Sequence, residues 1–102
     1  MVSKVSEITI YDVADYLRLT DYEESNIETY LNIAKNYISN YTGIPVEAED
    51  EESESLDSYA DFVIVVYVLC QDMYDNRSMY VDRGNVNKVV QTILDMHTKV
   101  YL

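Results

Sequence analysis

The run "FVIVVYVLC", residues 62 to 70, is the most apolar stretch of the 102-residue chain, and it decides the fold class. Read alone, its β-branched residues would suit a strand. The surrounding segment, however, continues for more than 20 residues without glycine or proline, and apolar side chains recur at helical spacing past both ends of the run. These side chains are Leu56, Tyr59, Ala60, Val63, Tyr67, Cys70 and Tyr74. The pattern predicts a helix that is apolar on every side, which is typical of a central helix covered by others.

Two helices are predicted before this segment. The first lies within "ITIYDVADYLRL", residues 8 to 19, where Thr9 is the expected N-cap and Asp12 completes an approximate capping box. The second should begin after Asp21, because an aspartate at that position can cap a helix N-terminus. Its apolar side chains recur at spacings of three and four residues as far as about Tyr41.

The boundaries between the second and third helices also have sequence signals. Gly43 stands where a left-handed residue commonly closes a helix, and Pro45 follows where a helix cannot continue. The third helix is then expected to begin near Ser53 or Ser55 and to end near Asn76.

A final helix is predicted to begin at Asn85 or Asn87, either of which can cap its N-terminus. One face of it is apolar and consists of Val86, Val89, Val90, Ile93, Leu94, His97 and Val100. With only 2 glycines and 1 proline in the chain, the four segments predict an all-α fold. We expect a single helical domain over residues 1 to 102, a small bundle of four helices around the central apolar third helix.

An acidic loop is predicted between the second and third helices. Its candidate functional residues are Glu47, Glu49, Asp50, Glu51, Glu52 and Glu54. Acids near the start of a helix interact favourably with its dipole, and acids beside an apolar run oppose misassociation during folding. The whole chain has a net charge of −12, which excludes broad contact with nucleic-acid phosphates and disfavours anionic membranes.

Residue types used for catalysis and for soft-metal binding are scarce. The chain has one histidine and one cysteine, and it lacks the glycine-rich, HExxH and CxxC motifs. His97 lies in an apolar helix stripe, and Asp95 is only two residues away, so their side chains diverge. The acidic loop lacks the alternating aspartates and the glycine of a Ca²⁺ loop. We therefore expect no enzymatic activity, no cofactor and no metal, with Cys70 as a small buried side chain.

Tyrosine is unusually frequent, with 11 residues in the chain. Tyr30, Tyr37 and Tyr41 share one face of the second predicted helix. Tyrosine suits surfaces that are buried at one end and wet at the other, and it is enriched in protein interfaces. These three residues are therefore the candidate subunit interface.

Four stretches resemble, in their order and spacing, the head–tail connector proteins of long-tailed double-stranded-DNA phages and prophages. They are "ITIYDVADYLRL", "IETYLNIAKNYISNYTGIP", "ADFVIVVYVLCQDMYDNRS" and "GNVNKVVQTILDMHTKVYL". In that family the first helix ends in Tyr-Leu, and the second ends in an aromatic residue, Thr and Gly with Pro close behind. The apolar third helix ends in a Tyr-x-x-Arg element, here Tyr74 and Arg77. The resemblance covers residues 7 to 102, and the long acidic loop is an elaboration of this sequence.

The resemblance implies a non-enzymatic structural protein of the virion head–tail interface, present in the host cytoplasm during assembly. It would form a homo-oligomeric ring, dodecameric like the portal, that joins the portal protein to a tail or head-completion protein. DNA would pass through the ring without specific binding, and no membrane would be involved. On this hypothesis the acidic loop faces the lumen or a rim, where it repels phosphate. The apolar C-terminus, Val100, Tyr101 and Leu102, would order against the portal.

Other functions stay open on the sequence. An acidic inhibitor that mimics DNA would use the same excess of carboxylates. A small helical module could instead bind one partner helix, and a small enzyme could use the acidic loop with a metal.

Overall fold

The described secondary structure is entirely helical. The computed structural model describes residues 4 to 48, 50, 53 to 76 and 87 to 98. They contain the helices α1 (Ile10–Tyr16), α2 (Glu24–Thr42), α3 (Asp61–Asp75) and α4 (Lys88–His97), with 3₁₀ turns at Val5–Glu7 and Leu56–Ser58. No strand occurs within these ranges, so the all-α prediction and the helical reading of residues 62 to 70 are confirmed.

Helix α1 has the predicted N-terminal cap and a strained C-terminus. The Thr9 hydroxyl accepts from the Asp12 amide at 3.2 Å, and the Asp12 carboxylate accepts from the Thr9 amide at 2.9 Å. After α1 the chain turns through Arg18, whose φ of 59° is left-handed. The Leu19 amide donates to the Ala14 carbonyl at 2.9 Å, which closes the helix as in a Schellman motif.

Helix α2 ends as predicted but does not begin at Asp21. Glu23 occupies the N-cap position, and its side chain makes no capping hydrogen bond. Leu19 and Tyr22 pack against the core, which keeps the residues before α2 in a non-helical connection. At the other end Gly43 has φ 80°, and its amide donates to the Ser39 carbonyl at 2.9 Å. The predicted glycine stop is confirmed, and the predicted Asp21 cap is wrong.

Helix α3 begins later than the sequence pattern predicts. Ser55 caps the 3₁₀ turn Leu56–Ser58 instead of the helix. The Leu56 amide donates to the Pro45 carbonyl at 3.0 Å, and the Asp57 carboxylate accepts from the Ser6 amide at 2.8 Å. These two contacts hold the turn against distant segments, so the predicted start at Ser53 or Ser55 is wrong.

The hydrophobic core contains side chains from all four α-helices and both 3₁₀ turns. They include Val5, Val13, Ile27, Ala34, Ile38, Leu56, Phe62, Val66, Leu69, Val90 and Leu94. Helix α3 packs against α1, α2 and α4, but α2 also packs against the three other α-helices. Ile64 on α3 is 53% exposed. The prediction that the bundle is arranged around a central α3 covered by the other helices is therefore not confirmed.

Helix α4 begins at the predicted cap but exposes part of its apolar surface. The Asn87 side chain accepts from the Val89 amide at 2.7 Å, which confirms Asn87 as the N-cap. Val90 and Leu94 are buried, whereas Val89 is 63% exposed although the pattern placed it on the core face. Val86, Val100 and the alternative cap Asn85 lie outside the described residues. Among the helices described, none is long and apolar enough to cross a membrane.

Candidate functional site

A cluster of polar and aromatic side chains lies at the end of the bundle where α2 ends, α3 begins and α4 ends. We call it the His97 cluster, and it consists of Glu54, Tyr59, Asp61, Phe62 and His97. Its members come from the end of the acidic loop, the segment before α3, the first turn of α3 and the last turn of α4. The antiparallel arrangement of α3 and α4 brings these segments together.

The centre of the cluster is the pair formed by Asp61 and His97. The His97 Nε2 atom lies 2.9 Å from the Asp61 Oδ2 atom, with the two side chains 16% and 36% exposed, respectively. Asp61 is in the first turn of α3 and His97 in the last turn of α4. Each residue therefore has the charge that its helix terminus favours when the imidazole is protonated. The pair links α3 to α4.

Aromatic rings fix the orientation of the imidazole. The His97 ring lies 4.1 Å from the Tyr59 ring and 5.0 Å, edge-on, from the Phe62 ring. The Tyr59 hydroxyl donates a hydrogen bond to the Glu54 carboxylate. Glu54, predicted as a residue of the acidic loop that faces the lumen or a rim, is half-buried and bonded to Tyr59.

A second polar contact joins α2 to α4 at the same end. The Tyr41 hydroxyl donates to the Asp95 Oδ1 atom at 2.5 Å, and the Tyr37 ring packs 5.9 Å from the Tyr41 ring. The hydrogen bond to Asp95, followed by burial, raises the pKa of Tyr41 above its ordinary value. Tyr41 therefore stays protonated and acts as a hydrogen-bond donor.

The predicted acidic loop is only partly described. Glu47 and Asp50 are exposed, and the Asp50 carboxylate accepts from the Ser53 amide at 2.8 Å and from its hydroxyl at 2.9 Å. Glu49, Glu51 and Glu52 lie outside the described residues, as do Val100, Tyr101 and Leu102 of the predicted portal-docking C-terminus. The orientation of the loop toward a lumen stays a prediction.

The three tyrosines of the predicted subunit interface have different environments. Tyr30 is 6% exposed and belongs to the core. Tyr37 and Tyr41 are half-buried against it. Tyr30 therefore offers almost no surface to a neighbouring subunit in this conformation, while the interface role of the set stays a prediction.

The chemistry of this end of the bundle is anionic. In the sequence, Asp57 lies four residues before Asp61 and Asp95 lies two residues before His97, and Asp95 is the carboxylate that binds Tyr41 at this end of the bundle. No group of three or more His, Cys, Asp or Glu side chains arranged to hold a metal occurs in the part of the chain that the structure describes.

Cys70 is not a reactive group. Its side chain is fully buried, as predicted, and burial raises the pKa of its thiol to about 12. The thiolate is the nucleophilic form of cysteine, so at neutral pH this side chain is an inert part of the core.

Sequence patterns did not reveal the polar contacts of this end. Asp61 and His97 are 36 residues apart, and Tyr41 and Asp95 are 54 apart. The available signal was the location of an acid at the start of one predicted helix and a histidine near the end of another. Antiparallel neighbours bring such termini together, but the sequence does not show which helices are neighbours.

The chain matches no protein-family model, no curated protein and no solved structure. Its resemblance to head–tail connector proteins rests on the four sequence stretches alone and stays a prediction.

Proposed function

We propose that this protein is a structural component of a phage or prophage virion. In this proposal it forms a ring that connects the portal to the tail or to the next head-completion protein and extends the DNA channel. The all-helical structure, the order of the four sequence stretches and the net charge of −12 support the proposal.

The observation that carries the proposal is that four of the five exposed large apolar side chains of the described residues lie in two groups, while Tyr11 on α1 belongs to neither. The first group, which we call the α1–α3 patch, consists of exposed Tyr16 and Ile64 together with half-buried Tyr67. Tyr16 is 44% exposed and stacks on Tyr67 with ring centroids 4.9 Å apart, and Ile64 lies one helical turn before Tyr67. Exposed apolar surface of this kind is typical of protein interaction sites.

The second group lies on α4. Val89 is 63% exposed and Met96 is 70% exposed, and half-buried Ile93 lies between them at helical spacing. We call these three residues the α4 stripe. A ring contact joins one face of a subunit to a different face of its neighbour, so each subunit needs two unlike contact surfaces. The α1–α3 patch and the α4 stripe meet that requirement.

In the proposed ring, the α1–α3 patch of one subunit packs against the α4 stripe of the next. This contact would cover Ile64, the exposed apolar residue of α3. Helix α3 would then be enclosed on every side within the assembly, which accounts for the apolar residues on all its faces.

The anionic end of the bundle would face the lumen or a rim of the ring. Its carboxylates repel phosphate, so DNA would pass without being held. Val100, Tyr101 and Leu102 follow α4 in the chain and would dock on the portal.

The proposal is tested by negative-stain microscopy and native mass spectrometry of the protein mixed with the portal protein from the same genome. We expect rings on one end of the portal, with the symmetry of the portal. A protein that stays a monomer or dimer and never associates with the portal would instead indicate a regulatory module. Competition with DNA for a nuclease or repressor would indicate a DNA mimic.

A further inference from the structure

We propose that a surface cleft at the opposite end of the bundle binds the guanidinium group of an arginine from a partner protein. The cleft lies between the connection from α1 to α2, the first half of α2 and the end of α3. We call it the tyrosine cleft, because Tyr22, Tyr30 and Tyr74 line it together with Asp21 and Glu23. It shares no lining residue with the α1–α3 patch or the α4 stripe, so this inference does not rest on the proposed ring.

The size of the cleft fits the end of an arginine side chain. Its volume is about 170 Å³. A cavity of this size holds several water molecules, so it has room for the planar guanidinium group, which has four heavy atoms. The cleft is open to solvent on one side, so an exposed arginine of another protein can enter it.

The half-buried ring of Tyr22 provides the face on which a cation binds, and buried Tyr30 forms part of the cleft wall. Tyr30 is 6% exposed and is held by the core, while Tyr22 and Tyr74 are half-buried. Burial restricts the rotamers of these side chains, so the rings are ordered before a ligand arrives. A cation over a tyrosine face is attracted by the ring quadrupole, and arginine also stacks on the ring through its planar guanidinium.

The carboxylates of Asp21 and Glu23 select a positive ligand. Both residues are exposed at the rim, and among the residues that the structure describes no lysine or arginine lines the cleft. Glu23 occupies the N-cap position of α2, yet its carboxylate accepts no capping hydrogen bond from the helix. A carboxylate at this position can pair with a guanidinium through two parallel hydrogen bonds.

The backbone beside the cleft has an unusual conformation. Arg18, directly before lining residue Leu19, is a non-glycine residue with φ 59°. Left-handed backbone is unfavourable for residues with a Cβ atom, and such conformations cluster at binding sites. The turn at Arg18 closes α1 and is followed by the connection that contains the lining residues Leu19, Asp21 and Tyr22.

The test is an NMR titration of the ¹⁵N-labelled protein with N-acetyl-arginine amide. N-acetyl-citrulline amide is the matched control ligand, because it has nearly the same shape and no charge. We expect saturable shifts of amide signals from Leu19 to Ile27 and at Tyr74 with the arginine compound, and at least about tenfold weaker binding of the citrulline compound. Equal binding of both compounds, or shifts spread over the whole acidic surface, would overturn the proposal.

Substitutions of Tyr22 test whether its aromatic side chain contributes to arginine binding beyond simple packing. Tyr22→Leu removes the aromatic face and should weaken arginine binding about fivefold, whereas Tyr22→Phe keeps the face and should bind within about twofold of the parent. Tyr11→Leu is the matched control, because Tyr11 is 57% exposed and lies outside the cleft. If the Tyr22→Leu and Tyr11→Leu variants bind N-acetyl-arginine amide with equal affinity, the tyrosine cleft is not the binding site.

A matched pair of Glu→Gln variants tests the contribution of the Glu23 carboxylate to arginine binding. Glu23→Gln should weaken binding severalfold, whereas Glu28→Gln, which changes an exposed residue outside the cleft, should not. Equal losses in both variants would mean that the net charge of the protein, and not the cleft, attracts the ligand.

Discussion

The hydroxyl of Thr42 closes α2, and its removal should destabilise the protein measurably. Thr42 is fully buried. Its Oγ1 atom donates to the Ile38 carbonyl at 2.7 Å and accepts from the Ile44 amide at 3.2 Å. Thr42→Val keeps the shape of the side chain but removes both bonds. The buried Ile44 amide, 1% exposed as a residue, would then lose its acceptor.

The expected magnitude follows from the cost of an unsatisfied buried donor. Such a group costs about 1–3 kcal/mol, so we expect Thr42→Val to lower the free energy of unfolding by about 2 kcal/mol. For a domain of this size that corresponds to a fall in Tm of roughly 10 °C. Urea unfolding followed by far-UV circular dichroism measures the difference directly.

Thr92→Val provides the matched control for this substitution. The Thr92 hydroxyl also donates to a carbonyl one helical turn earlier, that of Lys88 at 2.8 Å, but Thr92 is exposed. Water can replace this bond, so the free energy of unfolding should change by less than about 0.5 kcal/mol. If Thr42→Val and Thr92→Val had equal effects, the reasoning would be refuted, and α2 would be terminated by Gly43 and Pro45 alone.

Four further predictions test other parts of the structure. Arg18→Gly should raise the free energy of unfolding by roughly 0.5–1 kcal/mol, because glycine adopts φ 59° without steric cost; thermal unfolding measures the gain. A double-mutant cycle of Asp61→Asn and His97→Gln, measured by urea unfolding at pH 6, should give a coupling energy of about 0.5–1 kcal/mol between the two side chains. A coupling energy of zero would contradict their contact. Burial raises the pKa of the Cys70 thiol from 9.0 to about 12, so the thiol ionises in the unfolded chain at a lower pH than in the folded protein. The free energy of unfolding should therefore fall between these pH values, by at most about 4 kcal/mol. Cys70→Ala should flatten this fall in a series of unfolding curves measured at different pH values. Burial also raises the pKa of the Asp72 carboxyl, so Asp72→Asn should raise the free energy of unfolding at pH 7 by less than about 1 kcal/mol. In the same assay this gain should disappear below about pH 3.9, where the carboxyl is protonated in both the folded and the unfolded chain.

Three helix caps were predictable from the sequence because they depend on neighbouring residues, although the predicted Asp21 cap of α2 was wrong. Thr9 with Asp12, Gly43 and Asn87 act where their local patterns indicate. The start of α3 was not predictable, because the Leu56 amide bonds to the Pro45 carbonyl and holds the preceding turn in place. A contact between separate segments leaves no periodic signal in the sequence.

The candidate site was less predictable than the fold. The sequence identified the acidic segment but not that the Glu54 carboxylate accepts a hydrogen bond from Tyr59 beside His97. The apolar periodicity of α4 assigned Val89, Val90 and Leu94 to the core face; Val90 and Leu94 are buried, whereas Val89 is exposed. The rotation of a helix about its axis depends on the neighbouring helices, so the sequence of the helix alone does not specify which residues face the core to within one position.

The most direct test of the central claim, that two unlike apolar surfaces join copies head to tail, uses two complementary variants. Ile64→Glu disrupts the α1–α3 patch and Met96→Glu disrupts the α4 stripe, and both residues are exposed, so the fold should persist. In sedimentation velocity at high protein concentration we expect the parent to associate and each variant alone to be monomeric. A mixture of the two variants should form heterodimers with one copy of each, because one intact contact remains. Association of either variant alone, or a mixture that stays monomeric, would contradict the account.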